Sequence, residues 1–576
     1  MHAKLDLETK TSPRSKMSLE KKLMLRNWEY VVPAFGIVSL VISCVVFSAK
    51  KYFENDELLS YYLLSDKSFF HMLSAFHDKI NAAPPLYFLV AWIWTRIFGA
   101  SELSLRLTSC LGMSAALWLL WATLRRTYGF WPTSIAVLSV FCTSGIVLWQ
   151  NAEARMYGLF IAFCALGLLL YDTACRKSRV SRALLIGTAC THAAIVNTHL
   201  FGLIYSAALL LAVILRDRCF KAVRIQLYLS IAFGWLSLIP YMPSFLNQSA
   251  AASVRTWLPK PLIGDLVQFM TLSSPSLVSG DSLQTLVNLF ALVLLVITSG
   301  AQFLLWQTEG RDGYENREEG QPRPDSEAAL LIAAYAFLAV PVFVWVFSQG
   351  QKPIFCDRYM LPTALSWSIL LAYVASRLLY QRLPKMSEGE PLNYRLRMAA
   401  VKSIFLMPLI SLFLAQPVLW AMRAPQQTTP GLYHDKVGYN DLPIVIQHSH
   451  VFLRCLHYSP ARNRYFFILD PEAAADEASG LFGPQEFNNL EAIARNYPNL
   501  GKHIVSGDEF LRMHDRFLVL GSLESNSKVC SCDIKGGVRT KWEDLSCPQW
   551  LRLRVLTDPH YRVQRLGKVM LLVERL

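Results

Sequence analysis

Charge is what this chain of 576 residues has least of: Asp, Glu, Lys and Arg make up only 17% of it, against 53% hydrophobic residues. A soluble globular protein carries roughly 25% charged residues. The last quarter of the chain is rich in charges, so the deficit falls on the first three quarters. There the apolar runs reach the ~20 residues needed to cross a ~30 Å hydrocarbon core. A cleavable leader is not expected either. Residues 1–27 are polar and too long for an n-region, and the apolar run Val31 to Phe47 has no convincing small-residue cleavage site. That run is expected to be the first span, after a disordered cytoplasmic tail. No metal-type CxxC pair occurs among the twelve cysteines. The C-terminal part has neither a nucleotide-binding glycine loop nor a nucleophile elbow. Nucleic acid is not an expected partner. The net charge of +14 is spread over many short loops and forms no basic stripe; it fits positive-inside loops and attraction to anionic membrane lipids.

Basic clusters fix the expected topology. Lys21, Lys22 and Arg26 precede the first span, so its start reads as cytoplasmic. Residues 49–83 then form an outer loop. Arg176 to Arg182 and Arg216 to Arg224 read as cytoplasmic and bracket a hairpin, Ala183 to His199 and Leu200 to Leu215, turning at the outer face. Counting from these anchors gives spans at Trp131 to Trp149, Met156 to Cys175, Gln226 to Phe245, Leu283 to Trp306, Ala328 to Phe347, Tyr359 to Arg377 and Ala399 to Trp420. Residues 84–124 make one net crossing yet contain two apolar pieces, Leu86 to Phe98 and Leu105 to Leu124. The total is about 11 net crossings. The expected fold is mainly α, a polytopic transmembrane helical bundle over residues 28–420, followed by a soluble α/β domain over residues 421–576 on the outer side. Strand-like runs at Pro443 to Ile446, Tyr465 to Leu469, Phe517 to Leu520 and Val569 to Val573, with a helical stretch at Glu486 to Asn496, carry the α/β reading. In that domain Cys530 or Cys532 could pair with Cys547, or Cys455 take part, if it lies outside the cytoplasm.

The residues suited to chemistry cluster at outer boundaries. Glu54, Asp56 and Glu57 fall within four residues after the first span. Partial desolvation and mutual repulsion there are expected to raise a carboxylate pKa and prepare one group as a base, although an ordinary solvated loop also carries acids. Glu153, Arg155 and Tyr157 form a polar group that either snorkels to headgroups or holds a phosphate by bidentate donation. His199 sits at the outer turn. His192 is more simply a helix-packing hydrogen bonder. Asp357, Arg358 and Tyr359 form a further group, in which Asp357 and Arg358 either neutralise each other or leave Arg358 for a phosphate. Charge counting puts all of these groups on one face.

In order and spacing, several short motifs resemble the GT-C glycosyltransferases, in the bacterial branch related to protein O-mannosyltransferases and the lipid A aminoarabinose transferase. They are Asp56-Glu57, Asn81-Ala-Ala-Pro-Pro-Leu-Tyr87, Phe98 to Arg106, Glu153-Ala-Arg-Met-Tyr157, Thr198-His-Leu-Phe201 and Arg358-Tyr-Met-Leu-Pro362. The resemblance covers roughly Asn27 to Trp420. It implies a multi-pass plasma (bacterial inner) membrane enzyme that takes a sugar from a polyprenyl-phosphate donor and transfers it, with inversion, to a glycan, lipid or protein acceptor on the outer face. By that resemblance Asp56 is the base, Glu57 a positioning or second acidic residue, and Arg155 and Arg358 the contacts to the leaving phosphate. No cofactor is implied firmly; the loop acids could hold a divalent cation weakly, without a dedicated cage. Ala82 and Ala83 depart from the branch, which often has His or an acid before the two prolines. The competing reading is a transporter or flippase of lipid-linked sugars, which should place its ionisable groups near the bilayer midplane and show internal repeats.

Overall fold

The computed structural model describes residues 29–177, 179–251, 258–276, 289–301, 324–350, 352–381, 392–431, 439–475, 483–521, 549–566 and 570–576. Most of the expected spans appear as helices. Seven among the described residues are long and apolar enough to cross a membrane, or eight if the bent pair Phe130–Thr143 and Gly145–Asn151 is one span. The expected hairpin is present as Arg182–Thr198 and Gly202–Cys219, turning at His199. The 65° bend in the third span was not expected. Ser144 leaves helical geometry (ψ 124°) and its Oγ donates to the carbonyl of Leu272 at 2.8 Å, so the helix Ile263–Ser273 of the second large loop holds the break open.

The two apolar pieces of residues 84–124 are separate helices. Leu86–Phe98 is too short to span and ends at Gly99, whose φ of +76° suits glycine. It braces the first loop: Trp92 Nε1 donates to the Asp66 carbonyl (2.8 Å) and Arg96 to the Leu64 carbonyl (3.1 Å). Glu102–Arg125 is long and apolar enough to make the crossing. It packs against Tyr157–Cys175 so closely that a Cβ on Gly158 would lie 1.9 Å from the Ser109 carbonyl oxygen, and one on Gly112 2.3 Å from the Gly158 carbonyl carbon. Small residues that let membrane helices touch backbone to backbone are a normal association device. Ser109 seals this one, accepting from the Gly158 N–H (3.1 Å) and donating to the Gln150 carbonyl (2.9 Å).

One end of the bundle is tied by arginine–carboxylate pairs between neighbouring helices. Arg125 meets Glu29 (2.6 Å), Arg126 and Arg176 meet the buried Asp172 (3.4 and 2.8 Å), and Arg377 meets Glu327 (2.7 Å); on the neighbouring hairpin, Arg224 meets the buried Asp217 (2.5 Å). Arg176 and Arg224 belong to the two basic clusters that charge counting assigned to the cytoplasm. The opposite end carries the first loop, built of helices Asn55–Leu64 and Phe69–His77.

The C-terminal part is a six-stranded sheet of order β3-β2-β1-β4-β6-β5, with β1 Ile444–Ile446, β2 Tyr465–Leu469, β3 Ile504–Ser506, β4 Arg516–Leu520, β5 Tyr561–Arg565 and β6 Met570–Arg575. The first four strands in that order pair parallel; β6 and β5 are antiparallel. The four anticipated strands are all present. β3 is three residues long and β5 largely polar, so neither stood out in the sequence. Cys455 is buried beneath this sheet; Cys530, Cys532 and Cys547, and the tail 1–27, lie outside the described residues.

The domain is fastened to the first loop. Its helix Ser449–Tyr458 packs on Asn55–Leu64, and Gly483–Asn496 on Phe69–His77. Arg495 pairs with Asp78 (2.9 Å), and Tyr497 donates to Asp66 (3.3 Å).

Candidate functional site

Helix Asn55–Leu64 starts where it does because Glu57 reaches back to accept the Glu54 N–H at 2.9 Å, a capping-box bond. Asp56 and Glu57 in the first turn also suit the helix dipole. The two acids then point to different fates. Glu57, 3% exposed, accepts a bidentate pair from Arg106, itself 1% exposed (Nε and Nη2, both 2.9 Å), and the Ala154 N–H at 2.8 Å. With the Glu54 amide it is saturated with donors. Arg106 goes on to donate to the carbonyls of Lys51 (2.7 Å) and Tyr52 (3.0 Å). Of the two roles considered for Glu57, positioning is the one its surroundings favour.

Asp56 is partly buried and keeps 30% of its side chain exposed. Arg358 reaches it at 2.7 Å and touches Glu153 at 3.5 Å. Arg155 donates to the Asp56 carbonyl (3.0 Å) and to Ser60 Oγ (3.2 Å). Residues far apart in sequence thus converge on Asp56, Arg358 at its carboxylate and Arg155 at its backbone carbonyl. The Nε atoms of Arg155 and Arg358 and the Tyr157 hydroxyl are buried with no hydrogen-bond partner among the described residues. Arg358 also lies over the rings of Tyr157 (6.0 Å) and Tyr359 (5.9 Å). His199 stacks on Phe160 (5.1 Å), meets Tyr359 at 4.8 Å, and accepts the Phe201 N–H through Nδ1 at 3.1 Å. All nine site residues singled out in the sequence therefore gather at one end of the bundle, Glu54 as the helix cap beside Glu153. His192 stays apart, bonded to Ser206 (2.6 Å) in a helix contact.

Two electrostatic expectations need correction. Burial pushes Asp56 up, as anticipated, but the guanidinium charges of Arg358 and Arg155 outweigh it and hold the carboxyl well below the usual range. Glu153 beside it is raised instead: burial pushes it up to about 7 against the opposing pull of Arg358. Arg358 is paired neither with Asp357 nor left unpaired; it bridges Asp56 and Glu153. Among the described residues no group of three or more His, Cys, Asp or Glu is placed to hold a metal ion.

Arg106 is the residue whose weight the sequence underplayed. It closes the Phe98 to Arg106 motif, and a cation in the second turn of an apolar helix is itself a signal of a specific partner.

Residues 82–242 match the family model described as dolichyl-phosphate-mannose-protein mannosyltransferase. The matched stretch contains the Phe98 to Arg106, Glu153 to Tyr157 and Thr198 to Phe201 motifs, while Asp56 and Arg358 lie outside it. Over nearly its whole length the chain shares the fold of ArnT from Cupriavidus metallidurans in the apo state: TM-score 0.53 at 11% identity, covering 96% of this chain and 98% of that one. ArnT bound to undecaprenyl phosphate scores 0.48 at 13% identity (94% and 97% covered), and the apo oligosaccharyltransferase of Archaeoglobus fulgidus 0.39 at 13% (77% and 65%). No curated protein matches the chain by sequence. The resemblance to GT-C proteins is thus borne out by the matched segment and by the fold.

Proposed function

We propose that this protein is a membrane glycosyltransferase that moves a sugar from a polyprenyl-phosphate donor to an acceptor hydroxyl or amine at the outer face, with inversion. The observation that supports the reading is a partly exposed Asp56 held by Arg358 at its carboxylate and by Arg155 at its backbone carbonyl, with unused buried donors beside it. The matched family is named for a dolichyl-phosphate-mannose donor, which supports the donor class.

In this mechanism the acceptor oxygen or nitrogen gives its proton to Asp56 and attacks the anomeric carbon. The bond from that carbon to the phosphate oxygen breaks, and the polyprenyl phosphate leaves with the electron pair. Arg155 and Arg358 are aimed at the charge that grows on it, the kind of fixed stabilisation that contributes most when charge develops. Charge-assisted guanidinium–phosphate bonds are short and directional. A low pKa makes Asp56 a weak base while the donor site is empty. A bound phosphate competes for both guanidiniums, weakens their hold on Asp56, and returns its pKa toward the ordinary range. Base strength is thereby tied to donor occupancy. Glu57 and Arg106 hold the helix that presents Asp56.

A second assignment within the same reaction gives the proton to Glu153, whose pKa near 7 suits a general base. Two variants separate them: Asp56→Asn and Glu153→Gln. The test is transfer of label from a polyprenyl-phosphate sugar by the purified full chain in liposomes, with lipid, glycan and peptide acceptors offered in turn. Loss of transfer in Asp56→Asn alone supports the first assignment. Movement of donor across the bilayer without transfer supports the transporter reading and overturns this one.

A further inference from the structure

We infer that Tyr458, carried by the C-terminal domain, is a positioning residue for Asp56, an inference that rests on the glycosyltransferase reading above. The segment entering the Asp56 helix, residues 51–54, belongs to no helix or strand. Its backbone amides are satisfied by side chains instead. The Tyr52 N–H donates to Gln427 Oε1 (2.8 Å), the Phe53 N–H to the Tyr458 hydroxyl (2.9 Å), and the Glu54 N–H to Glu57 (2.9 Å). Two of these three acceptors come from beyond the last membrane helix, and the carbonyls on either side are taken by Arg106.

Tyr458 does this as a relay. Its oxygen accepts from Phe53 and its proton goes to Glu102 Oε1 at 2.7 Å. Glu102 lies one turn before Arg106 on the same helix, so the relay and the Arg106 fork grip the segment from one rigid support. The Tyr458 ring packs on Tyr52 at 4.6 Å, and its neighbour His457 on Tyr61 at 4.8 Å. Gln427 adds a backbone bond, its N–H to the Lys50 carbonyl at 3.0 Å. An irregular segment three residues from a reacting carboxylate has no ladder to fix it, so its direction depends on these contacts. The domain is therefore part of the site's framework, through a hydroxyl that phenylalanine lacks.

The experiment compares Tyr458→Phe with Arg495→Ala, which cuts a domain contact at Asp78 away from the site, in the full-length protein. Donor-sugar transfer is measured together with backbone hydrogen exchange. Tyr458→Phe should lower kcat by about 10- to 100-fold, the scale of a misplacement of about 1 Å, with KM for the donor unchanged. Exchange over residues 51–58 should quicken while the β1–β4 strands stay protected. Arg495→Ala should turn over like the parent protein. Equal kcat in Tyr458→Phe and the parent, or equal losses in both variants, overturns the inference. If the parent transfers no sugar, the functional reading fails by itself, and exchange still decides the positioning claim: unchanged protection of 51–58 in Tyr458→Phe overturns it.

Discussion

Replacing Arg106 by methionine tests how the Asp56 helix is held. The side chain fits the same slot but removes the charge opposite Glu57, whose carboxylate is 3% exposed. Glu57 would keep only the Ala154 and Glu54 amides as donors, and the carbonyls of Lys51 and Tyr52 would lose theirs. Removing one partner of a buried pair costs about 3–5 kcal/mol, because the remaining charge is uncompensated. A fully buried acceptor left bare would add about 1–3 kcal/mol, but the Lys51 and Tyr52 carbonyls are only part-buried and add less, so Arg106→Met should fall near the upper end of about 3–5 kcal/mol. The assay is unfolding of the detergent-solubilised protein followed by tryptophan fluorescence, arranged as a double-mutant cycle with Glu57→Gln. Glutamine removes the orphan charge yet still accepts from Ala154, so the double variant should be more stable than Arg106→Met alone. The reasoning is refuted if Arg106→Met stays within about 1 kcal/mol of the parent, the size of a surface contact, or if the double variant is no better than the single.

Asp56→Ala should cut transfer by about 10²–10⁴-fold, the usual weight of a general base, while the protein still accumulates in membranes; this is read from initial rates normalised to folded protein. Arg358→Lys retains charge but not the planar fork, so it should weaken donor use more than a charge count implies, seen as a lower kcat/KM for the polyprenyl-phosphate sugar. Glu153 binds its proton more tightly in the folded state, with its pKa moved from 4.5 to about 7. Between those values the folded state holds more protons than the unfolded one, so this group's contribution to stability falls as pH rises; Glu153→Gln should stabilise the protein at pH 8 and not at pH 4, measured by thermal unfolding. Asp56 has the opposite sign. Its depressed pKa gives stability present above its unfolded value of 3.8 and lost on acidification below it, so Asp56→Asn should flatten the acid limb of the same curve.

The membrane bundle was legible because hydropathy and loop charge are read locally. The sheet was legible where its strands were apolar, at β1, β2, β4 and β6. That these groups lie together was legible too, since charge counting put Asp56, Glu153, Arg155, His199 and Arg358 on one face. What each group does there was not. Whether Asp56 is raised or lowered depends on Arg358, and whether Glu57 is free or saturated depends on Arg106; neither partner is near in sequence. Tyr458 and Gln427 left no trace, because a tyrosine in an amphipathic helix and a glutamine in a linker look the same whatever they touch. The break at Ser144 was hidden for a similar reason: the residue that stabilises it sits in a different loop.

The glycine crossing of the helices Glu102–Arg125 and Tyr157–Cys175 bears on how the charged groups are seated. With backbone against backbone at Gly112 and Gly158, a side chain at either position would collide with the other helix. One of them carries Arg106 and the other begins just after Arg155, so this close-packed pair is a shared post for the charged groups. The helices around it differ sharply: 67% of the apolar window is buried in each member of the post, against 17% in Ile225–Ala250 and 22% in Leu406–Arg423. The helices least covered by protein are thus not the two that seat Arg106 and adjoin Arg155.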